Sequence, residues 1–260
     1  MDKKSIQQLF DFSGKTVVVT GGAKGIGFGI VQRFIEASAN VVISDIDNEV
    51  GEKKAKDLGK KCLYVSTDVS DESQVENLVN QTVEKFKTID VFINNAGIYP
   101  NKPVMEMTAE FWQKIQDINL KGVFLCSQKA AEVMIKQGGG VFVNIGSIDS
   151  LHPSGIGLAA YDASKHGVWG FTKNFALEMA DKNIRVNAIA PGGVATEGVE
   201  ESTKGGVKAG DLTNAFAQKI PMKRFGNPDE MATVALFLAS DAASYMTGSL
   251  VVADGGYLLA

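Results

Sequence analysis

Tyr161 and Lys165 stand four positions apart in a stretch of helical period, so their side chains share one face. A free phenol ionises near pH ~10 and is a poor base at neutrality. An ammonium about 5 Å away, at an effective dielectric near 20, stabilises the phenolate by ~3 kcal/mol, or roughly 2.5 pKa units. That moves the phenol toward the range where general acid–base catalysis works best. Ser147 follows a strand-like run (VNIGS) and offers a hydroxyl that can bind the same reacting oxygen and stabilise charge developing there. The chemistry such a set suits is proton transfer at an alcohol or carbonyl oxygen.

A second constellation lies near the start of the chain. The apolar run TVVVT leads into Thr20-Gly21-Gly22-Ala23-Lys24-Gly25-Ile26-Gly27, and a helical period follows. Glycines 21, 25 and 27 let the backbone turn tightly, approach a ligand and pack the helix on the strand. The helix N-terminus then favours a pyrophosphate through its N–H groups and dipole. Asp45 ends the next strand (VVISD), with Ile46 after it. A carboxylate there accepts both adenosine ribose hydroxyls and repels a 2′-phosphate, which votes for NAD over NADP. Lys24 pulls weakly the other way, because a single solvated ammonium offers less.

The elements that position these groups are legible as alternating patterns. Strand-like runs cover Thr16–Thr20, Val41–Ser44, Leu63–Val65, Val91–Ile93, Val141–Ile145, Arg185–Ile189 and Leu250–Val252. Most are continuously apolar, as expected of strands buried on both faces of a parallel sheet. Helical periods run over 26–37, 73–86, 111–135, 161–180 and 228–238. Strand and helix alternate throughout, which predicts α/β architecture, a doubly wound sheet of right-handed βαβ units in one domain over 1–260. The stretch 192–218 is rich in Gly, Glu and Lys with weak apolar spacing, and it is expected to be a substrate lid beyond the strand carboxyl ends.

Composition excludes several classes. The 260 residues carry 26 Lys and Arg against 30 Asp and Glu, a formal charge of −4. That balance argues against a nucleic-acid partner. Two cysteines, Cys62 and Cys126, make no disulfide framework and point to a reducing cytoplasm. With two histidines, scattered, they have no metal-ligand spacing, and no metal is expected. No apolar run approaches the ~20 residues of a membrane helix, so no membrane partner is expected. A serine hydrolase built on Ser147, His152 and Asp149 would need a G-x-S-x-G elbow, and GSIDS lacks it. A non-catalytic nucleotide sensor on the same fold would not need an intact Ser–Tyr–Lys set.

The chain resembles the classical short-chain dehydrogenases/reductases. The resemblance rests on the glycine turn, Asp68-Val69, Asn94-Asn95-Ala96-Gly97, Asn119 in IQDINLKGVF, Ser147, Tyr161-Asp162-Ala163-Ser164-Lys165, Pro191-Gly192 and Asp254-Gly255-Gly256, in order from Gly14 onward. It implies a Rossmann-type sheet of about seven strands in the order 3-2-1-4-5-6-7, a nicotinamide cofactor, hydride transfer between alcohol and carbonyl, and a homotetramer. By similarity Asp68 and Val69 hold the adenine, and Asn95, Ala96 and Gly97 line the cofactor ribose. Pro191, Gly192, Val194 and Thr196 belong to the stretch that meets the carboxamide. Tyr161 is the acid/base, Lys165 also holds the nicotinamide ribose, and Asn119 places a water in a proton relay. The positive charge of the oxidised nicotinamide adds to that of Lys165 in lowering the Tyr161 pKa.

Substrate walls are expected from 97–102, 147–157 and the lid. Asp149, His152 and Ser154, with Gly192, place polar groups near the reacting carbon and suit a sugar, sugar acid or polyol, since a buried polar group without a partner is costly. Glu197, Glu200 and Glu201 balance Lys204 and Lys208 in the lid. The alternative is a 3-oxoacyl-(acyl-carrier-protein) reductase-like enzyme using NADPH, which Asp45 and the acidic charge disfavour.

Overall fold

The computed structural model describes residues 3–196 and 216–260. Seven strands form its centre: β1 (Thr16–Thr20), β2 (Asn40–Asp45), β3 (Cys62–Ser66), β4 (Val91–Asn94), β5 (Gly140–Ile145), β6 (Ile184–Pro191) and β7 (Leu250–Ala253). They are parallel throughout and lie in the order β3-β2-β1-β4-β5-β6-β7. This is the Rossmann-type order, and chain direction across the sheet reverses between β1 and β4, where ligands bind in doubly wound folds. The short β-branched runs form strands because their side chains meet packed helices on both faces. In β1, Val17 and Val19 join the apolar layer on one face and Val18 the layer on the other.

Around the sheet lie α1 (Ile6–Leu9), α2 (Gly25–Glu36), α3 (Asn48–Leu58), α4 (Glu72–Phe86), α5 (Ala109–Gln116), α6 (Gly122–Gln137), α7 (Ala159–Met179) and α8 (Pro228–Ala239). One face is covered by Ile30, Val31 and Phe34 of α2 with Met231, Ala235 and Leu238 of α8. The other is covered by Val75 and Leu78 of α4, Leu125 and Met134 of α6, and Phe175 of α7. Phe34 is fully buried with its ring edge-on to Phe12 at 5.0 Å. Burying a side chain of that size contributes about 1.5–3 kcal/mol.

Two features depart from the sequence pattern. The expected helix over 111–135 is broken into α5 and α6 by a π-helical turn at Asp117–Lys121, where one extra residue per turn rotates Asn119 fully into the interior. The α3 helix is absent from the pattern because its fully buried residues are only the small Gly51 and Ala55, with Val50 and Leu58 packed partly against the core; Asp47 caps it by accepting from the Val50 N–H at 3.2 Å. The expected lid lies for residues 197–215 outside the described residues, as do Glu197, Glu200, Glu201, Lys204 and Lys208.

Candidate active site

The glycine turn leaves β1 and enters α2 through two residues in the left-handed region, Gly21 (φ 60°) and Gly25 (φ 53°). A Cβ on Gly27 would fall 2.0 Å from the Gly21 carbonyl oxygen, so only glycine lets the first turn of α2 close on the strand end. Lys24 takes the N-cap position without a side-chain cap; its amine pairs with Asp47 at 2.7 Å. Ile26 lies half-buried beside it.

Asp45, at the end of β2, is tied to this turn. Its carboxylate accepts from the Ala23 N–H at 3.0 Å and from the Asp47 N–H at 3.1 Å. The adjacent Ile46 is exposed. Asp68 accepts from the Ser70 N–H and hydroxyl at 2.9 and 2.7 Å, while Val69 is buried with its side chain against Gly122.

Thr20 joins β1 to the end of β4. Its hydroxyl accepts from the N–H groups of Asn95 and Ala96, and the Asn95 amide donates to the carbonyls of Thr20 at 2.9 Å and Gly21 at 3.0 Å. Asn95, expected along the ribose, thus spends its side-chain amide on holding the glycine turn. Thr20 and Asp47 were not singled out as site residues; their signal was position alone, one ending β1 and one capping α3.

The expected chemical group converges past Gly97. Asn119 clamps Ile98, accepting from its N–H and donating to its carbonyl, both at 2.8 Å, and donates also to the Ser164 hydroxyl at 3.1 Å. A Cβ on Gly97 would stand 3.3 Å from Asn119 Oδ1 and 3.7 Å from Lys165 Nζ, so the two side chains meet at that glycine. Lys165 is buried on α7, donates to the Ile145 carbonyl at 2.7 Å, and holds its Nζ 5.7 Å from the Tyr161 ring centre. Ser147, buried after β5, lies beside the Tyr161 phenol. Ser147, Tyr161, Lys165 and Asn119 are therefore brought together.

The electrostatics differ from the expectation drawn from spacing. Burial drives the Tyr161 phenol upward; the Ser147 hydroxyl opposes it, and Asp149 adds to it. Lys165 is lowered to about 8, chiefly by burial, with Asp149 working the other way. The ammonium lies on the Ile145 carbonyl rather than on the phenol, so the four-residue spacing does not by itself lower the phenol.

Around the reacting group, Asp149 is half-buried and accepts the Ser147 hydroxyl at 2.8 Å. His152 is exposed, and its ring meets Tyr257 edge-on at 6.2 Å; Tyr257 in turn stacks on Phe216 at 5.4 Å. Tyr99 meets Tyr161 edge-on at 6.1 Å. Ser154, expected near the reacting carbon, instead gives its hydroxyl to Asp162 at 2.5 Å, which pins the 151–158 loop to the first turn of α7. A Cβ on Gly192 would press on Asp254 at 2.7 Å, so the backbone after Pro191 lies against the end of β7. Val194 is buried and bridges Gly226, and Thr196 lies over Gly25 at the phosphate turn.

A parallel sheet in this order, with a glycine turn at its switch point and a Ser–Tyr–Lys cluster one strand away, defines a nicotinamide-dependent oxidoreductase. A family model described as enoyl-(acyl carrier protein) reductase matches residues 21–258. The chain is 41% identical over 246 residues to a 3-oxoacyl-(acyl-carrier-protein) reductase of Chlamydia muridarum, covering 93% of this chain and 96% of that one. It is 38% identical over 255 residues to glucose 1-dehydrogenase 2 of Bacillus subtilis, covering 96% of each. The crystal structure of a levodione reductase superposes with a TM-score of 0.92 at 38% identity, over 96% of this chain and 99% of that one. The chain belongs to the classical short-chain dehydrogenase/reductase family.

Proposed function

We propose that the protein is an NAD-dependent dehydrogenase that interconverts a secondary alcohol and a carbonyl, with Tyr161 as general acid/base and a sugar, sugar acid or polyol as substrate. The observation that carries the reading is the meeting of the Ser147 hydroxyl, the Tyr161 phenol and the Lys165 amine at the open end of the sheet's switch point. The residues fit a dinucleotide: Gly27 leaves no room for a Cβ beside Gly21, and the Asp45 carboxylate is anchored on the same turn. When bound, the oxidised nicotinamide supplies the hydride acceptor and a second positive charge. Tyr161 then takes the hydroxyl proton at Oη, Ser147 binds the reacting oxygen, and Lys165 holds the ribose. Gly21, Gly25 and Ile26 hold the pyrophosphate, Asp45 and Ile46 the adenosine, and Asp68 and Val69 the adenine.

The NAD reading is supported by the fate of Lys24, whose amine is paired with Asp47. The polyol reading is supported by Asp149 on the Ser147 hydroxyl and by His152, which acts on Asp149 and meets Tyr257 edge-on. Kinship with a glucose dehydrogenase is compatible with it. A second reading, an NADPH-dependent 3-oxoacyl-carrier reductase, is favoured by the 41% identical relative of that name. A reducing cytoplasmic location accords with two free thiols, one buried and one half-buried. Among the described residues no helix is long and apolar enough to cross a membrane. A homotetramer accords with the exposed Trp112, Phe124, Ile135 and Leu177 on α5, α6 and α7; light scattering tests it.

Polyols, hydroxy acids and a short 3-oxoacyl thioester, each offered with both cofactors and followed at the reduced-dinucleotide absorbance, decide between the readings. Dehydrogenation of a polyol with NAD, lost in Y161F, supports the first. Turnover of the thioester alone, with NADPH, supports the second.

A further inference from the structure

Both hydrogen bonds of the Ser147 hydroxyl go to one residue, Asp149. A hydroxyl has one proton and two lone pairs. The proton goes to Asp149 Oδ2 at 2.8 Å, and one lone pair accepts the Asp149 N–H at 3.1 Å. The other remains available to the neighbouring Tyr161 phenol. Ser147 starts the 3₁₀ turn Ile148–Ser150 as its cap, so the Asp149 backbone and carboxylate grip the same oxygen from one residue. A serine bound in this way has no proton to offer a substrate.

We propose that Asp149 is a positioning residue that governs the Ser147 proton. While ionised it keeps that proton and leaves Ser147 one lone pair for the phenol or for an alcohol O–H. When Asp149 takes a proton from solvent at Oδ2, its O–H donates to Ser147 Oγ, and the Ser147 O–H turns to a carbonyl oxygen. No bond is made or broken beyond that one protonation. The charged and titratable groups facing Asp149 are Asp162 from the first turn of α7, His152 from its own loop, and Lys165 and Tyr161 from α7. Burial raises the Asp149 carboxyl above the ordinary range, with Asp162 adding to this, while Ser147, His152 and Lys165 oppose it. Exchange between the two states therefore lies nearer neutrality than for a solvated carboxylate. The inference rests on the proposed role of Tyr161 but not on any particular substrate.

The test is a double-mutant cycle read on the Tyr161 phenol by carbon NMR of tyrosine labelled at Cζ, with Y161F assigning its resonance among the five tyrosines. In the otherwise native chain, D149N frees the Ser147 proton for the phenolate as well as removing a charge, and the Tyr161 pKa falls by about one unit. In the S147A background only the charge is removed, and the fall is less than half as large. Equal falls in both backgrounds, or none in either, overturn the proposal. D149S is the second variant should D149N misfold, with NADH fluorescence as the check on folding. The readout needs no turnover, so a chain that shows the coupling yet dehydrogenates no polyol refutes the proposed function and leaves this inference standing.

Discussion

The Lys165 amine lies 5.7 Å from the centre of the Tyr161 ring and gives its hydrogen bond to the Ile145 carbonyl, not to the phenol. The two residues are thus neighbours with no hydrogen bond between them. Under the proposed function Lys165 supplies positive charge near the reacting oxygen, and the end of β5 holds it in place. Replacing Tyr161 by Phe keeps the ring and removes only the proton carrier. The expected outcome is a fall in kcat of at least about 100-fold with NADH affinity unchanged within about twofold, since general acid–base catalysis contributes roughly 10²–10⁴-fold. Steady-state rates and a fluorescence titration measure the two quantities.

The buried amine also makes stability depend on pH. Lys165 is lowered from the ordinary 10.5 to about 8 by burial, so the unfolded chain binds its proton more tightly. Stability is therefore reduced below pH ~8 and recovers as pH rises toward 10, by at most about 3 kcal/mol. The Tyr161 phenol is raised and acts in the opposite sense only above its ordinary value, near pH 10. Urea unfolding of the native chain and K165M between pH 7 and 10 should show the native chain gaining on the variant as pH increases. Parallel profiles would contradict this.

The Asp45 carboxylate holds the Ala23 and Asp47 N–H groups, and under the proposed function it also faces the adenosine ribose. D45S should shift the NADH-to-NADPH affinity ratio toward NADPH by about tenfold or more, as a close carboxylate opposed to a phosphate costs at least about 1.4 kcal/mol. It should also cost about 1–2 kcal/mol of stability through the lost hydrogen bonds. Fluorescence titration and urea unfolding separate the effects.

Asn119 is fully buried and clamps both backbone groups of Ile98. N119A leaves those groups without partners in the interior and should lower stability by about 2–4 kcal/mol. N119D retains an acceptor for the Ile98 N–H but places a carboxyl against its carbonyl, and should restore less than half of the loss. Thermal and urea unfolding of the three proteins check the order.

The sheet was legible in the sequence because strands buried on both faces must be continuously apolar, as TVVVT and VVIS are. The glycine turn was legible because Gly27 sits where a Cβ has no space. The α3 helix was not, since its core-facing stripe is sparse, with small Gly51 and Ala55 buried and only Val50 and Leu58 as larger apolar groups packed partly against the core. Nor was the break at Asp117–Lys121, because a π-turn adds a residue without altering composition. In the site, residue types and order marked Ser147, Tyr161 and Lys165. Sequence could not tell that the Lys165 amine rests on Ile145, or that the Ser154 hydroxyl is given to Asp162. Both depend on how separate loops pack.

The most direct test follows an atom. Reduced dinucleotide deuterated at C4 is incubated with the enzyme and a panel of ketoses and other polyol-derived ketones, and the products are analysed by mass spectrometry and NMR. Deuterium on the carbinol carbon of one product, formed by the native chain and absent with Y161F, is the predicted result. Deuterium that stays on the dinucleotide with every ketone, or transfer undiminished in Y161F, would contradict the account.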